Sequence, residues 1–517
     1  MLNRETCYRA LLGRDVRFDG RFFTAVRTTG IYCRPICPAR FPKPENCTFY
    51  ATAAEAQQAG YRPCLRCRPE VAPNLAAWRG TGAVVERAMA LIEAGALDSS
   101  SVDQLAGRLG LGERQLRRLF VQHVGVSPLA IAQARRVHLA KQLVTETALS
   151  LADVALASGF GSIRRFNHCF QQLYGQPPSL LRRPKSSADG NVFPSLDRAH
   201  QGTISLLLPY CAPYDWPGMV QFFAARALDG IEAVREHAYA RTISVGTATG
   251  FVLVRPAAGR HCETALQATI SLTSWAVLPQ VVRQLKEMFD LHADPQVINR
   301  HLAHDPLLGQ SVRMRPGLRV PGGWNGFEVG VRAILGQQIT VAGGRRLGSR
   351  LVDHFGNPVS AHLDLPGDMP RLIRLFPAPE RIAEADLTVL GMPRSRAQTI
   401  NALARAALSD PLLFAASLPL EESVARLKRI PGIGDWTAQY IAMRALRHPD
   451  AFPAGDVALQ NAAGKANGQK PSETKLRTQA DAWQPWRAYA AQHLWSGPAP
   501  LGPLTDSLCT AKDLVAT

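Results

Sequence analysis

Two groups of residues could do chemistry. The first is four cysteines, Cys33, Cys37, Cys64 and Cys67, arranged as Cys-x3-Cys and Cys-x2-Cys with 26 residues between the pairs. Close pairs on separate loops can meet as a tetrahedral thiolate cage, and Zn(II) suits it, being redox-inert and content with four sulfurs. The other cysteines are scattered, which fits a metal site better than a disulfide framework. Arg27, Arg34, Arg40, Arg62, Arg66 and Arg68 crowd the cage. Four thiolates on one zinc leave two net negative charges, so the sulfurs stay nucleophilic at neutral pH. A methyl electrophile held beside them by phosphate-binding arginines is open to attack. The second group is Ile430-Pro431-Gly432-Ile433-Gly434-Asp435-Trp436-Thr437, followed about 20 residues later by Phe452-Pro453-Ala454-Gly455-Asp456. A Pro-Gly-x-Gly turn between two helices lets the backbone approach a phosphate and offers it helix N–H groups.

The elements that must position these residues form zones. The chain has 517 residues, too many for one ordinary domain. Residues 1–78 are rich in Cys, Arg and Pro; 82–184 have apolar residues at a helical period; 185–201 have linker composition. Residues 202–290 mix β-type runs (Thr203 to Leu208, Gly250 to Arg255) with helical segments, 291–500 are mainly helical, and 501–517 form a tail. Within the second zone, Leu105-Ala106 followed by Gly110-Leu111 recurs 49 residues later as Val154-Ala155 followed by Gly159-Phe160. Each copy reads as helix, Gly turn, amphipathic helix: a helix-turn-helix, twice. The second helices would present Arg114, Gln115, Arg117 and Arg118, then Arg164, Arg165, Asn167 and His168, residue types that read base edges in a major groove. The balance of 59 Lys+Arg against 41 Asp+Glu, a net charge of +18, also points to nucleic acid. No apolar run is long enough to span a membrane and no secretory signal opens the chain, so a cytoplasmic protein is expected, held on the nucleoid by DNA.

Three resemblances sharpen this reading. Phe23 to Pro35, Cys37-Pro38-Ala39-Arg40 and Gly60 to Cys67 resemble the N-terminal domain of Ada proteins. The resemblance implies irreversible methyl transfer from DNA methylphosphotriesters to Cys33, with Arg34, Arg40, Arg62 and Arg66 as DNA contacts. Methylation would turn one thiolate into a neutral thioether, lower repulsion from DNA phosphates and tighten salt-dependent binding. Gly159-Phe160-Gly161-Ser162, Arg165-Phe166, Phe170 and Tyr174-Gly175-Gln176-Pro177-Pro178 resemble the AraC/XylS DNA-binding domain, implying activated transcription and RNA polymerase as a partner.

The C-terminal half, from about 205 to 500, resembles the AlkA-type 3-methyladenine DNA glycosylase II of the helix-hairpin-helix superfamily. The motifs are Pro213-Tyr214-Asp215-Trp216, Ala333 to Gln338, Leu390-Gly391-Met392-Pro393, the hairpin, and Trp486-Arg487-Ala488-Tyr489 with His493-Leu494-Trp495. This implies Asp456 as the catalytic carboxylate, a base pocket of Trp436, Tyr440, Phe222 and Trp495, and DNA contacts at Gly432, Gly434, Thr437 and Gln338. It also implies a monovalent cation on the carbonyls of Lys428, Ile430 and Ile433. Members that cleave the strand carry a Schiff-base lysine where this chain has Trp436, so water is the expected nucleophile. The substrate base is reached by flipping, and alkylated purines such as 3-methyladenine and 7-methylguanine are cationic, which an aromatic pocket attracts. Gln338 stands where some members have a Leu wedge, and the segment after Asp456 lacks aromatic character.

The expected architecture is therefore multidomain. It comprises a small α/β zinc domain, an all-α double helix-turn-helix domain, an α+β AlkA-type N-terminal domain and an all-α helix-hairpin-helix domain. The expected function is alkylation repair joined to regulation. A transcriptional activator with a vestigial glycosylase half is the alternative, against which Asp456, Trp436 and the intact hairpin glycines stand.

Overall fold

The computed structural model describes residues 3–15, 18–64, 66–67, 69, 83–93, 95–182, 203–235, 237–258, 264–359, 371–410, 412–415, 418–467 and 469–497. The expected linker at 185–201 and the tail at 501–517 lie outside them, as does Arg68. The expected multidomain architecture is observed.

The zinc domain is a four-stranded sheet of β1 (Phe23–Val26), β2 (Ile31–Cys33), β3 (Cys47–Tyr50) and β4 (Arg62–Pro63), in the order β3-β1-β2-β4. β1 runs antiparallel to both neighbours and β2 pairs parallel with β4. The β2–β4 pairing places Tyr32 opposite Pro63, so the strand ends deliver Cys33 and Cys64 side by side. Helices Arg4–Leu12 and Ala53–Gln58 flank the sheet.

The two helix-turn-helix copies are Val102–Arg108 with Glu113–Val124, and Leu151–Ala157 with Ile163–Tyr174. Both turns depend on glycine: Gly110 and Gly159 have φ of +70° and +85°, a left-handed conformation that a Cβ disfavours. Ser101 caps the first leading helix in a reciprocal capping box and Ser162 caps the second recognition helix. Leu116 and Phe120 of one recognition helix, and Phe166 and Phe170 of the other, are fully buried, which turns the polar faces outward.

The 19-residue helix Pro128–Glu146 joins the copies and acts as a spine. On one side its His138 ring meets the Tyr32 hydroxyl at 3.3 Å and the Gln57 amide at 2.6 Å, both from the zinc domain. At its far end Gln142 donates to the Leu207 carbonyl (2.9 Å) and Glu146 accepts from the Leu207 amide (3.3 Å). Leu207 lies on β5 (Thr203–Pro209), the edge strand of a second sheet. That sheet is antiparallel throughout and adds β6 (Glu232–Arg235), β7 (Ala238–Val245), β8 (Ala248–Pro256) and β9 (Ala265–Leu272), in the order β5-β9-β8-β7-β6. Helices Trp216–Ala224 and Leu278–Met288 share a core with it.

The remaining helices, from Pro295–Leu302 to Arg487–Ser496, enclose the largest apolar core, with Val331, Ile334, Leu403, Leu427 and Ile441 fully buried. A buried ion network ties this unit to the sheet. Arg241 donates to Glu328 (2.8 Å), Arg332 to both Glu328 and Glu232 (2.7 Å each), and Tyr239 to Glu232 (2.6 Å). Every carboxylate is bonded more than once, the condition under which buried charge is tolerated; losing one partner would cost about 3–5 kcal/mol.

Candidate functional sites

The four cysteine sulfurs converge, all within 4.8 Å of one another. Cys37 and Cys64 Sγ are 3.8 Å apart, and sulfurs about 2.3 Å from a central zinc at tetrahedral angles would have almost that spacing. The donor set therefore fits one Zn(II) per chain. Cys37, Cys64 and Cys67 are buried and Cys33 is partly exposed, so Cys33 is the most accessible of the four sulfurs to a large substrate. Cys33 opens on a groove of about 700 Å³ lined also by Arg40, Arg62, Arg66 and the Gly175-Gln176 corner that ends the second recognition helix. Arg40, Arg62 and Arg66 are exposed.

Arg34 departs from the expectation. It is buried, only 6% exposed. Its Nε donates to Asp19 (2.8 Å), its Nη2 pairs with the same carboxylate, and its Nη1 donates to the Cys67 carbonyl (3.2 Å). Its backbone N–H also points at Cys67 Sγ (3.3 Å). A bidentate partner in the core and two contacts to a ligand residue make Arg34 a scaffold of the metal loop rather than a DNA contact.

On the helix-turn-helix unit, Arg114, Gln115, Arg117 and Arg118, and Arg164, Arg165, Asn167 and His168, are exposed. Arg117 is held one turn back by Glu113 (2.8 Å), so it reaches DNA only by exchanging that partner.

The hairpin joins helices Leu420–Lys428 and Asp435–Arg444. Gly432 has φ +86°, and a Cβ there would lie 2.0 Å from Thr399 Oγ1; Gly434 faces open space. Both glycines are exposed. Thr437, expected to touch DNA, is instead buried at 2% exposure, where its hydroxyl accepts from Gln337 Nε2 at 2.9 Å. The same amide donates to the Gly432 carbonyl (3.2 Å), and Arg396 donates to the Gln337 carbonyl (2.6 Å). Thr437 thus braces the turn to the neighbouring loop. Gln338, at the tip of that loop, is exposed with a left-handed φ of 55°.

Asp456 sits at the end of the Pro-Ala-Gly segment, where it opens helix Val457–Asn467. Its Oδ2 accepts from Trp436 Nε1 at 2.8 Å; its Oδ1 accepts from Trp495 Nε1 at 3.0 Å and from the Leu459 amide at 2.9 Å. The carboxylate is thus both a helix cap and the centre of a clamp between two indoles. Trp436 stacks on Tyr440 (5.4 Å, 19°), and Trp495 meets Tyr440 edge-on (6.4 Å). All four expected pocket aromatics and Asp456 line one cavity of about 700 Å³, within the ~300–1,000 Å³ range of small-molecule sites. Phe223 borders the same cavity but packs mainly in the core against Tyr239 and Phe289.

The sequence reading missed the pocket's arginines. Arg444 Cζ lies 4.6 Å from the Phe222 centroid, 5.2 Å from Trp495 and 5.5 Å from Tyr440, and Arg226 Cζ lies 4.0 Å from Phe222. Burial pushes the Tyr440 phenol up, but the Arg444 and Arg226 cations overcome this and hold it below its ordinary pKa. A signal was available: Trp436, Tyr440 and Arg444 recur every four residues, one face of one helix.

Comparison with known proteins agrees with this geometry. The family described as the metal binding domain of Ada matches residues 6–70, and a helix-turn-helix domain matches 105–184. The AlkA N-terminal domain matches 205–325, and the HhH-GPD superfamily of base excision DNA repair proteins matches 331–488. A probable bifunctional transcriptional activator/DNA repair enzyme AlkA from Mycobacterium tuberculosis is 40% identical over 492 residues, covering 95% of this chain and 96% of that one. The chain belongs to this bifunctional activator/repair family. DNA-3-methyladenine glycosylase 2 of Escherichia coli is 37% identical over 286 residues, or 55% of this chain and 94% of the relative. The bifunctional transcriptional activator/DNA repair enzyme Ada of E. coli is 37% identical over 153 residues, or 30% of this chain and 42% of the relative. Among the described residues no helix is long and apolar enough to cross a membrane.

Proposed function

We propose that this family member excises alkylated bases of the 3-methyladenine and 7-methylguanine type from double-stranded DNA and also takes a methyl group from DNA methylphosphotriesters. The observation that carries the first activity is the carboxylate of Asp456 clamped by two indole N–H groups at the mouth of an aromatic cavity. Trp436, Tyr440, Phe222 and Trp495 receive the flipped base. A cationic base is already a good leaving group and departs neutral, so no general acid is required. Asp456 stabilises the oxocarbenium-like sugar and orients water onto C1′. Trp436 offers no amine for a Schiff base, so the strand stays intact. The exposed turn at Gly432 and Gly434 takes a phosphate, its carbonyls at Lys428, Ile430 and Ile433 are the candidate cation ligands, and exposed Gln338 lies next to it against the duplex.

For the second activity, bound zinc would keep the sulfurs as thiolates at neutral pH. Cys33 Sγ attacks the methyl carbon, the carbon–oxygen bond breaks, and the phosphate oxygen keeps the electron pair. Arg40, Arg62 and Arg66 hold the phosphate. The site loses one negative charge, and the helix-turn-helix faces then hold a promoter beside RNA polymerase in the cytoplasm. On this reading the working units are 1–78, 82–184, 202–290 and 291–500.

The test incubates the full chain with duplexes carrying 3-methyladenine or 7-methylguanine and measures free base and strand breaks separately. Released base with strands that break only after alkali is the expected result. Well-folded protein that releases none would favour the regulator with an inactive C-terminal half.

A further inference from the structure

We propose that Arg444 drives base release electrostatically, by holding a fixed positive charge at the base end of the pocket opposite Asp456 at the sugar end. This rests on the glycosylase reading above.

Arg444 is 3% exposed. Its Nη1 donates to the Pro321 carbonyl (2.9 Å) and its Nη2 to Gln492 Oε1 (2.8 Å), both neutral acceptors. Among the ion pairs of the described residues none includes Arg444, whereas Arg241 and Arg332, at the same cavity, are neutralised by Glu328 and Glu232. Burial draws the Arg444 pKa down to about 10, with Arg226 and Arg447 adding to the fall and Tyr440 opposing it; the group is cationic at neutral pH. It ends the helix on which Trp436 stands near the start. Eight residues of helix separate them by about 12 Å, with Tyr440 between. Trp436 bonds Asp456 and Tyr440 faces Arg444, so the carboxylate and the guanidinium flank the Trp436–Tyr440 stack, and Trp495 lies between them, bonding Asp456 and facing Arg444.

The reaction moves charge along that row. The C1′–N bond breaks with both electrons going to the base, water oxygen bonds to C1′, and one water proton leaves to solvent. The base loses one unit of positive charge and the sugar gains it in the transition state. A cation beside the base and an anion beside the sugar both favour that movement, and a preorganised field of this kind acts on the rate. The same cation opposes binding of a base that arrives positively charged. The aromatic faces are therefore not simply an attractor for cations, since Arg444 already lies against three of them. The pocket gives up ground-state affinity and gains rate.

The test uses the full chain and two duplexes. One carries 7-methylguanine, for single-turnover release. The other carries 7-methylguanine on a 2′-fluorinated sugar that resists cleavage, for affinity. Arg444→Gln is expected to slow release about 3-fold, the Coulomb difference for one charge moving from about 8 Å to about 12 Å from the guanidinium with an effective dielectric of about 20. It is also expected to bind the uncleaved cationic base up to about 30-fold more tightly, the full repulsion of one charge at about 8 Å. Arg444→Lys should recover most of the rate. Unchanged release, or rate and affinity falling together as in a merely structural defect, would overturn the role. If Arg444→Gln does not fold, Arg444→Met, which fills the same aromatic space without charge, is expected to show the same opposed changes; no change there overturns the role equally. Release by wild type but not by Asp456→Asn keeps the glycosylase reading separate from this one. No release by wild type would overturn both.

Discussion

Replacing Asp456 by Asn changes little in shape and much in charge. The carboxylate accepts three hydrogen bonds, from Trp436, Trp495 and Leu459. An amide can keep its oxygen toward Leu459 and Trp495, and Asn caps a helix as well as Asp. Its NH2 then faces the Trp436 indole N–H, donor against donor, so about 1–3 kcal/mol of stability is lost and Trp436 loosens. The effect on chemistry is larger. A carboxylate about 4 Å from the developing oxocarbenium ion, against about 8 Å from the base that carries the charge beforehand, contributes about 2 kcal/mol at an effective dielectric of about 20, and loss of the group that orients water adds about 10²-fold, together roughly 10³-fold in rate. Single-turnover release of 7-methylguanine should therefore fall by about three orders of magnitude. Duplex affinity should hold or rise slightly, since a negative charge near the backbone is gone. Release within tenfold of wild type from a folded variant would refute the electrostatic role and leave Asp456 as a helix cap.

Other outcomes follow from the same geometry. Cys33→Ala should abolish methyl transfer while leaving base release intact; labelled methyl still retained on the zinc domain would reject Cys33 as acceptor. Gly432→Ala forces a left-handed non-Gly residue into Thr399, and should cost about 2–3 kcal/mol and weaken binding to undamaged duplex; wild-type melting and affinity would refute the steric argument. Burial pulls the His493 and His448 pKa values down to about 3 and about 4. Unfolded histidine takes up its proton near pH ~6.5, so between those values the unfolded state binds more protons and stability rises with pH. Melting temperature should fall as pH drops from ~6.5 toward ~4, and a flat profile would refute it.

How much was legible follows from what short spacing can encode. The metal ligands were readable because a cage of two close cysteine pairs needs only local sequence. The hairpin and both helix-turn-helix turns were readable because glycine at a left-handed position leaves a fixed mark: Gly110, Gly159 and Gly432 all have positive φ. The pocket aromatics were readable by resemblance, though Phe222 and Trp495 stand far apart in the chain and only the fold brings them to one cavity. Where the structure differs from expectation, residue type alone does not fix position. Arg34 and Thr437 are polar and sit inside functional motifs, yet both point inward, and the partners that hold them, Asp19 and Gln337, lie 15 and 100 residues away.

Those inward residues explain how the motifs work. A zinc loop offered to DNA must not deform when a phosphate pulls on Arg40, Arg62 or Arg66, and Arg34 locks it through a core carboxylate and the Cys67 carbonyl. A hairpin that grips the backbone must keep its register with the exposed tip at Gln338, and Gln337 ties the two through Thr437 and the Gly432 carbonyl. The spine helix extends the same principle between domains. His138 meets Tyr32 and Gln57 at mid-helix, and Gln142 and Glu146 hold Leu207 over the last two turns. Tyr32 is the neighbour of Cys33 on β2. A change at the methyl-acceptor strand thus has a short, fully hydrogen-bonded route to the helix that carries both DNA-reading units. Gln57→Leu, which leaves every sulfur in place, is expected to keep methyl transfer and reduce the gain in promoter affinity that follows it. An undiminished gain in that variant would show that the response to methylation is confined to the charge of the zinc site.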